Sequence, residues 1–284
     1  MIEVKSLFHK YNVQDDYSVN DVSFTIDKGE IFGLLGPSGA GKSTIQNIMI
    51  GLLKLQNGKV DYNGESILNL KEDFFNNIGV SFEQSNLFDK LTARENLKYY
   101  AGLFDVETKD PEMLLEMVGL KAAVDKRIKQ FSKGMKQRVV FARALINNPK
   151  ILFLDEPLSG LDPTTAERIK DIIKAKKKEG TTIFLTTHNM YVADELCDRV
   201  AFLNNGKIIA MDSPRNLKLM YGKQAVKVEY KVGEEINSEL LFPEKEADRS
   251  RLKDLIDKKN LQTMHSQEAT LEEIFIKLTG RGLS

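Results

Sequence analysis

The stretch Ile31-Phe32-Gly33-Leu34-Leu35-Gly36-Pro37-Ser38-Gly39-Ala40-Gly41-Lys42-Ser43-Thr44 decides how the rest of the chain is read. Its first five residues form a short, continuously apolar run, the pattern of a strand buried on both faces. Residues 36–43 then match G-x-x-x-x-G-K-[ST] without a gap, and Thr44 to Leu53 continues with helical spacing at Ile45, Ile48, Met49 and Leu52. A strand that feeds a glycine-rich loop, which in turn opens a helix, is a phosphate cradle. Glycine reaches positive φ and lets amide N–H groups approach phosphate oxygens, and the positive end of the helix points at the same anion. Lys42 is the expected partner of the β and γ phosphates and the Ser43 hydroxyl that of Mg²⁺. Gly36, Pro37, Ser38, Gly39, Ala40, Gly41 and Thr44 complete the expected loop.

Working outward, Ile151-Leu152-Phe153-Leu154-Asp155 is a second buried strand, ending in an acid, with Glu156 next and Pro157 closing the ladder. Asp155 suits Mg²⁺ through a bound water, and Glu156 is placed to polarise water behind the γ-phosphate. Thr182 to Thr186 is a third buried strand, and His188 follows Thr187. The carboxyl ends of parallel strands face the ligand crevice, so three strands are expected to deliver polar groups to one edge. His9 and His265 have no such setting and receive no role.

Strands alternating with helical stretches predict an α/β chain with a mainly parallel sheet. Val22 to Ile26 alternates as a strand, residues 90–148 read mostly as helix, and Asn204-Asn205-Gly206 joins two strands as a hairpin. Asp162-Pro163 reads as an N-cap followed by proline at the first helical position. Beyond about residue 222 the character changes. Val226, Val228, Tyr230 and Val232 alternate, a highly charged stretch follows, and Thr270-Leu271-Glu272-Glu273 fits a capping box with Gly280 as the stop.

Composition narrows the function. Across 284 residues, 41 Lys+Arg balance 41 Asp+Glu, so no global charge favours nucleic acid, and none is expected as a partner. Lys174, Lys176, Lys177 and Lys178 close a helix, where cations complement the macrodipole. The single cysteine, Cys197, excludes an internal disulfide framework and reads as packing; the scattered methionines read as core filling. Met1 to Lys5 has no apolar signal core, and no run approaches about 18 apolar residues. The expectation is a cytoplasmic chain.

Taken in order, these residues resemble the ATP-binding cassette (ABC) ATPase family. The phosphate loop is followed by Phe131-Ser132-Lys133-Gly134-Met135-Lys136-Gln137-Arg138, then Leu154-Asp155-Glu156-Pro157, Ser159-Gly160-Leu161-Asp162, and Thr187-His188. The Ser-Lys-Gly-Met segment is the strongest discriminator, although Lys133 and Met135 replace the family's commoner glycine and glutamine. The resemblance implies a P-loop NTPase core with an inserted helical lobe at residues 89–148, an ATPase domain over 1–222 and a small α+β appendage over 223–284. It implies ATP and Mg²⁺ as ligands, with Glu156, His188 and Lys42 as catalytic residues. It also implies that two cassettes pair head to tail, as homodimer or heterodimer, closing ATP between the phosphate loop of one and Ser132 and Gly134 of the other. Asp162 would link the two sites, and it is equally legible as the N-cap noted above.

The family places a metal-sensing glutamine where ungapped counting puts Glu83, with Gln84 one residue later. Glu83 is the favoured metal ligand and Gln84 its rival. Leu7-Phe8-His9-Lys10-Tyr11 resembles the segment whose ring stacks on adenine, which favours Tyr11 over Tyr17. The function so implied is ATP hydrolysis that powers a separate integral membrane permease, with the chain peripheral on the inner face of the cell membrane. The signature form and the closing Leu271-Glu272-Glu273-Ile274-Phe275 helix resemble drug-export cassettes, including a fluoroquinolone-export type, for drugs or other small amphiphiles. The alternatives are a nucleotide-binding switch module with weak hydrolysis and a soluble, non-transport ABC ATPase.

Overall fold

A computed structural model describes every residue except 13, 15, 223, 224, 234, 258–260 and 281–284. The apolar five-residue run is a strand, β3 (Ile31–Leu35), buried at all five positions. It is preceded by β1 (Ile2–His9) and β2 (Val19–Ile26) and followed by α1 (Lys42–Met49). The helix ends earlier than the periodicity predicts: Gly51 takes φ +76°, and the Leu52 and Leu53 amides both turn back to the Asn47 carbonyl. Leu52, expected on the apolar face, is therefore exposed.

Two sheets form the core of the first compact unit, Met1–Met211. One is antiparallel, in the order β2-β1-β4-β5, with β4 at Asn57–Tyr62 and β5 at Glu65–Ser66. The short α2 (Glu72–Phe75) follows. The second sheet brings together β3, β6 (Ile78–Ser81), β7 (Ile151–Asp155), β8 (Thr182–Thr187), β9 (Arg199–Asn204) and β10 (Lys207–Asp212), in the order β10-β9-β3-β8-β7-β6. The contacts β6–β7–β8–β3–β9 are all parallel. The β9–β10 hairpin turns at Asn205 and Gly206, with φ +47° and +73°, as a type I′ turn requires.

Phe24 of β2 stacks on Phe32 of β3 at 5.0 Å, and Phe184 of β8 lies 6.3 Å from Phe32 with its ring tilted by 13°. Together with Ile45, Ile48 and Met49 of α1 they close an apolar layer between the two sheets. Gly79 marks how tightly β6 is packed: a Cβ there would stand 1.9 Å from the Ala144 carbonyl oxygen.

Between β6 and β7 run α3 (Ala93–Ala101), α4 (Pro111–Met117) and α5 (Lys133–Arg143), which pack on one another through residues such as Leu97, Leu114, Leu115 and Val140. After β7 comes α6 (Pro163–Lys178), capped by Asp162, whose Oδ1 accepts from the Thr165 amide at 3.0 Å. α7 (Met190–Leu196) follows β8, and Cys197 just beyond it is buried, with burial pushing its thiol above the ordinary range.

The second compact unit is Asp212–Gly282. It holds α8 (Pro214–Tyr221), β11 (Ala225–Val232), β12 (Glu235–Leu241), α9 (Glu246–Asp257), β13 (Leu261–Gln267) and α10 (Leu271–Thr279), the strands pairing antiparallel in the order β12-β11-β13. The sequence reading divided the chain after residue 222; α8 packs on α10 and goes with the second unit. Its core is Val228, Tyr230, Leu241 and Leu255.

Candidate functional site

The parallel register places the site. Leu35 lies opposite Thr187, Asp155 opposite Thr186, and Ser81 opposite Leu154. The carboxyl ends of β3, β8, β7 and β6 thus meet at one edge, and a cleft of about 340 Å³ opens there. Tyr11, Ser38, Gly39, Gly41, Lys42, Ser43, Thr44, Glu83, Asp155, Glu156 and His188 all line it. Gly36, Pro37 and Ala40 build the loop behind this lining.

The loop's shape follows from its glycines. Gly41 caps α1 at φ +109°, and a Cβ there would stand 2.4 Å from the Ser18 carbonyl oxygen. At Gly36 a Cβ would stand 2.2 Å from the Leu203 carbonyl oxygen, so no side chain fits. Lys42, 8% exposed, donates from Nζ to the carbonyls of Gly36 at 2.7 Å and Pro37 at 3.0 Å. Burial lowers its pKa, while Glu156, Asp155 and Glu83 oppose that and hold the charge in place.

Asp155 accepts from the Ser43 hydroxyl at 3.1 Å on Oδ2 and from the Thr186 hydroxyl on Oδ1. Burial raises its pKa; the Thr186 and Ser43 hydrogen bonds work the other way, and Glu156 adds to the rise. Glu156 is 7% exposed and sits at φ +47°, a conformation that costs a non-glycine residue about 1–3 kcal/mol. Its surroundings fix it there. The amide donates to the Thr186 carbonyl at 3.0 Å, and Oε2 accepts from the Thr187 hydroxyl at 2.9 Å. Oε1 accepts from the His188 amide at 2.8 Å and stands 2.7 Å from His188 Nδ1. With Glu156 ionised, that contact places the proton on Nδ1. Thr186 and Thr187, which the sequence reading gave no role, are therefore the groups that hold both acids; their position before His188 at a strand end was the available signal.

The Tyr11 hydroxyl is hydrogen-bonded to Thr44 Oγ1 at 2.9 Å and its ring meets His9 edge-on, which fixes an otherwise exposed side chain at the rim. Tyr17 turns away, edge-on to Phe8 and under the Lys10 ammonium. Gln84 does not line the cleft, whereas Glu83 does. Ser18 also lines it, and no sequence pattern marks it.

Ser132, Gly134 and Asp162 lie outside this cleft. Ser132 caps α5, its exposed hydroxyl accepting from the Met135 amide at 3.2 Å. Gly134 is packed so closely that a Cβ would stand 2.9 Å from the Gly160 carbonyl oxygen, which joins the start of α5 to the segment before Asp162. The Thr165 hydrogen bonds hold the Asp162 carboxyl below its ordinary pKa.

The ABC transporter family model matches residues 19–159. The fluoroquinolones export ATP-binding protein of Mycobacterium tuberculosis (strain ATCC 25618 / H37Rv) is 45% identical to this chain, over 100% of the chain and 95% of that protein. The chain belongs to the ABC transporter family. It is an ATP-binding cassette, an ATPase of that family. A further relative is the Nod factor export ATP-binding protein I of Rhizobium etli (strain ATCC 51251 / DSM 11541 / JCM 21823 / NBRC 15573 / CFN 42), 37% identical over 94% of the cassette and 90% of the relative. Among solved structures, a dimeric ATP-binding cassette in a post-hydrolysis state bound to ADP and Pi is 30% identical. It superposes with a TM-score of 0.68 over 75% of this cassette and 98% of that chain. The structure of an ATP-binding subunit of an ABC transporter gives a TM-score of 0.70 at 30% identity, over 78% and 93%. No helix among the described residues is long and apolar enough to cross a membrane.

Proposed function

We propose that this cassette hydrolyses ATP–Mg²⁺ on the cytoplasmic face of the cell membrane and drives a separate integral membrane permease that exports drugs or other small amphiphiles. The observation that carries the reading is the convergence of the phosphate loop, Asp155, Glu156 and His188 at one edge of the β3–β8–β7 sheet. The names of the relatives support export, and the 45% identity over the full chain supports the drug class.

The donor set fits a hard cation: the Ser43 hydroxyl and Asp155 carboxylate are both oxygen ligands, and they stand within hydrogen-bond distance of each other. Among the described residues no cluster of three His, Cys, Asp or Glu forms a complete protein cage, so phosphate and water would supply the other positions. Ser43 and Asp155 would hold Mg²⁺, and Glu83, which lines the same cleft, would add a third oxygen donor. The ion would neutralise charge on the phosphate oxygens.

The chain's own groups do the rest. Backbone N–H groups of Gly36 and of residues 38–44, with Lys42 Nζ, bind phosphate oxygens, Lys42 exchanging its two loop carbonyls for them. Tyr11 offers its ring face to the base. Glu156 orients a water and takes its proton at the carboxylate. His188, already donating to that carboxylate from Nδ1, keeps it aimed and stabilises its charge. Exposed Ser132 and half-buried Gly134, at the positive end of α5 and absent from their own cleft, bind the γ-phosphate of a second cassette, with Asp162 at the join. A homodimer and a pair with a related cassette satisfy this geometry equally.

Steady-state phosphate release tests the core of the reading. Glu156→Gln is expected to lower turnover by about 10²–10⁴-fold while ATP still binds. Unchanged turnover would remove Glu156 from the role of base.

A further inference from the structure

The sheet of the second unit ends on a strand that carries none of the usual guards. β12 (Glu235–Leu241) pairs with β11 in one unbroken register, from Glu235 opposite Val232 to Leu241 opposite Val226. Among the described residues no strand lies on its other side. Such an edge holds out every second N–H and C=O as a template for another strand, and proteins ordinarily blunt it with proline, lysine or a bulge. β12 contains no proline and no lysine, and its register has no bulge. Its one mid-strand charge, Glu239, is already engaged within its own unit. That carboxylate accepts from the Tyr230 hydroxyl and from Arg251 at 2.8 and 3.1 Å. The other edge strand, β13, is less regular, its pairing with β11 shifting register between Glu229 and Tyr230.

Strand alternation puts Ile236, Ser238 and Leu240 on the face of β12 opposite to the core residue Leu241. All three are exposed, Ile236 by 67% and Leu240 by 46%. We propose that β12 is a self-pairing edge, at which two copies of the chain join antiparallel about a two-fold axis at Ser238 and merge their three-stranded sheets.

The choice of a second copy as occupant rests on the strand's self-complementarity. A two-fold axis perpendicular to the sheet pairs each residue with one on the same face. Centred on Ser238, it pairs all seven residues of the strand. Ile236 of each copy meets Leu240 of the other, Asn237 meets Glu239, and Ser238 meets itself. Each exposed apolar side chain gains an apolar neighbour, and no like charges face each other. The adjacent centres fail on charge. About Asn237, Glu235 would face Glu239; about Glu239, that carboxylate would face its own copy. The contact is isologous, so it closes at two chains.

This pairing needs neither ATP nor the cleft, and its test uses the full chain without nucleotide. Cysteines placed along the strand read the register, Cys197 being buried. Directly opposite residues hold their Cα atoms about 4.5–5.5 Å apart, within reach of a disulfide. Ser238→Cys is therefore expected to give a covalent dimer under mild oxidation. Ile236→Cys and Leu240→Cys each lie about 13 Å out of step with their own copies, and should cross-link only when the two variants are mixed. Sedimentation of the wild type should show a mass that rises with concentration and levels at two chains. Ser238→Lys, which sets two ammoniums face to face, should stay a single chain. Cross-linking at 238 no stronger than at 236 or 240 alone overturns the proposal. A wild-type chain that stays single without nucleotide also overturns it, and leaves the ATP-dependent pairing standing. So does a mass that climbs past two chains, the sign of an open-ended contact with another edge.

Discussion

Asp155 shows how a single side chain sets function against stability. Burial raises its folded pKa above the ordinary 3.8. Its contribution to stability is fully present below the unfolded carboxylate pKa and is lost as pH rises through the folded one. At neutral pH the ionised acid weighs against the fold. Asp155→Asn is expected to melt higher than wild type at pH 7, with the gap closing as pH falls through the carboxylate range, while turnover drops by about 10–100-fold or more. Calorimetry across pH beside phosphate release checks both halves; a lower melting temperature at pH 7 contradicts the account. Glu83 is the companion case. It lines the cleft and acts electrostatically on Lys42, whereas Gln84 does neither. Turnover titrated against Mg²⁺ should therefore shift more for Glu83→Ala than for Gln84→Ala, and the reverse ranking removes Glu83 from the metal. At this scale the sequence was legible wherever a residue type is demanded by backbone geometry. Gly36 and Gly41 could be read because only glycine fits beneath those carbonyls, and Lys42 because it follows them. Ser18 could not, since its contribution is a backbone position brought in by β1–β2 pairing.

Elements were legible where a local signal starts or stops them. The capping box at Thr270 forms as written: the Thr270 amide donates to Glu273 Oε2 at 2.8 Å, and the Glu273 amide to Thr270 Oγ1 at 3.1 Å. Gly280 ends α10 at φ +68°. Thr270→Ala should destabilise α10 by about 1 kcal/mol, seen as faster hydrogen exchange across Leu271–Thr279. Unchanged exchange would mean that burial of Leu271, Ile274 and Phe275 alone sets the helix. Less was legible where polarity hides the pattern. β12 and α9 lie in the charged stretch; β12 pairs with β11 through backbone groups, and α9 buries a narrow apolar stripe, centred on Leu255, against Val228 and Tyr230. Neither a backbone ladder nor so narrow a stripe leaves a strong periodicity. The early end of α1 was missed for another reason: the apolar spacing runs through Gly51, and tertiary packing decides which of the later residues it serves.

For the whole molecule, the decisive expectation concerns association. The start of α5 presents Ser132 and Gly134 outside their own cleft, so under the proposed function the positive helix end would meet the triphosphate of a second copy or a related cassette. Light scattering of Glu156→Gln in saturating ATP should report twice the mass of one chain, or two copies of the chain per assembly when the membrane partner is supplied. A persistent single-chain mass under those conditions refutes the trans site. The order of strands could be argued from alternation with helices, but that β8 lies between β3 and β7 could not, because neighbours in the sheet are set by crossovers and not by sequence distance.

That central position of β8 has a corollary for how the chain can vary. Its left-hand neighbour bears the loop and its right-hand neighbour bears the acids, and Thr187 and Thr186 are the rungs to which Leu35 and Asp155 are tied. A one-residue insertion or deletion in this strand would shift loop, acids and histidine out of alignment together. Drift among such chains can therefore change the composition of β8, but its length is a shared ruler.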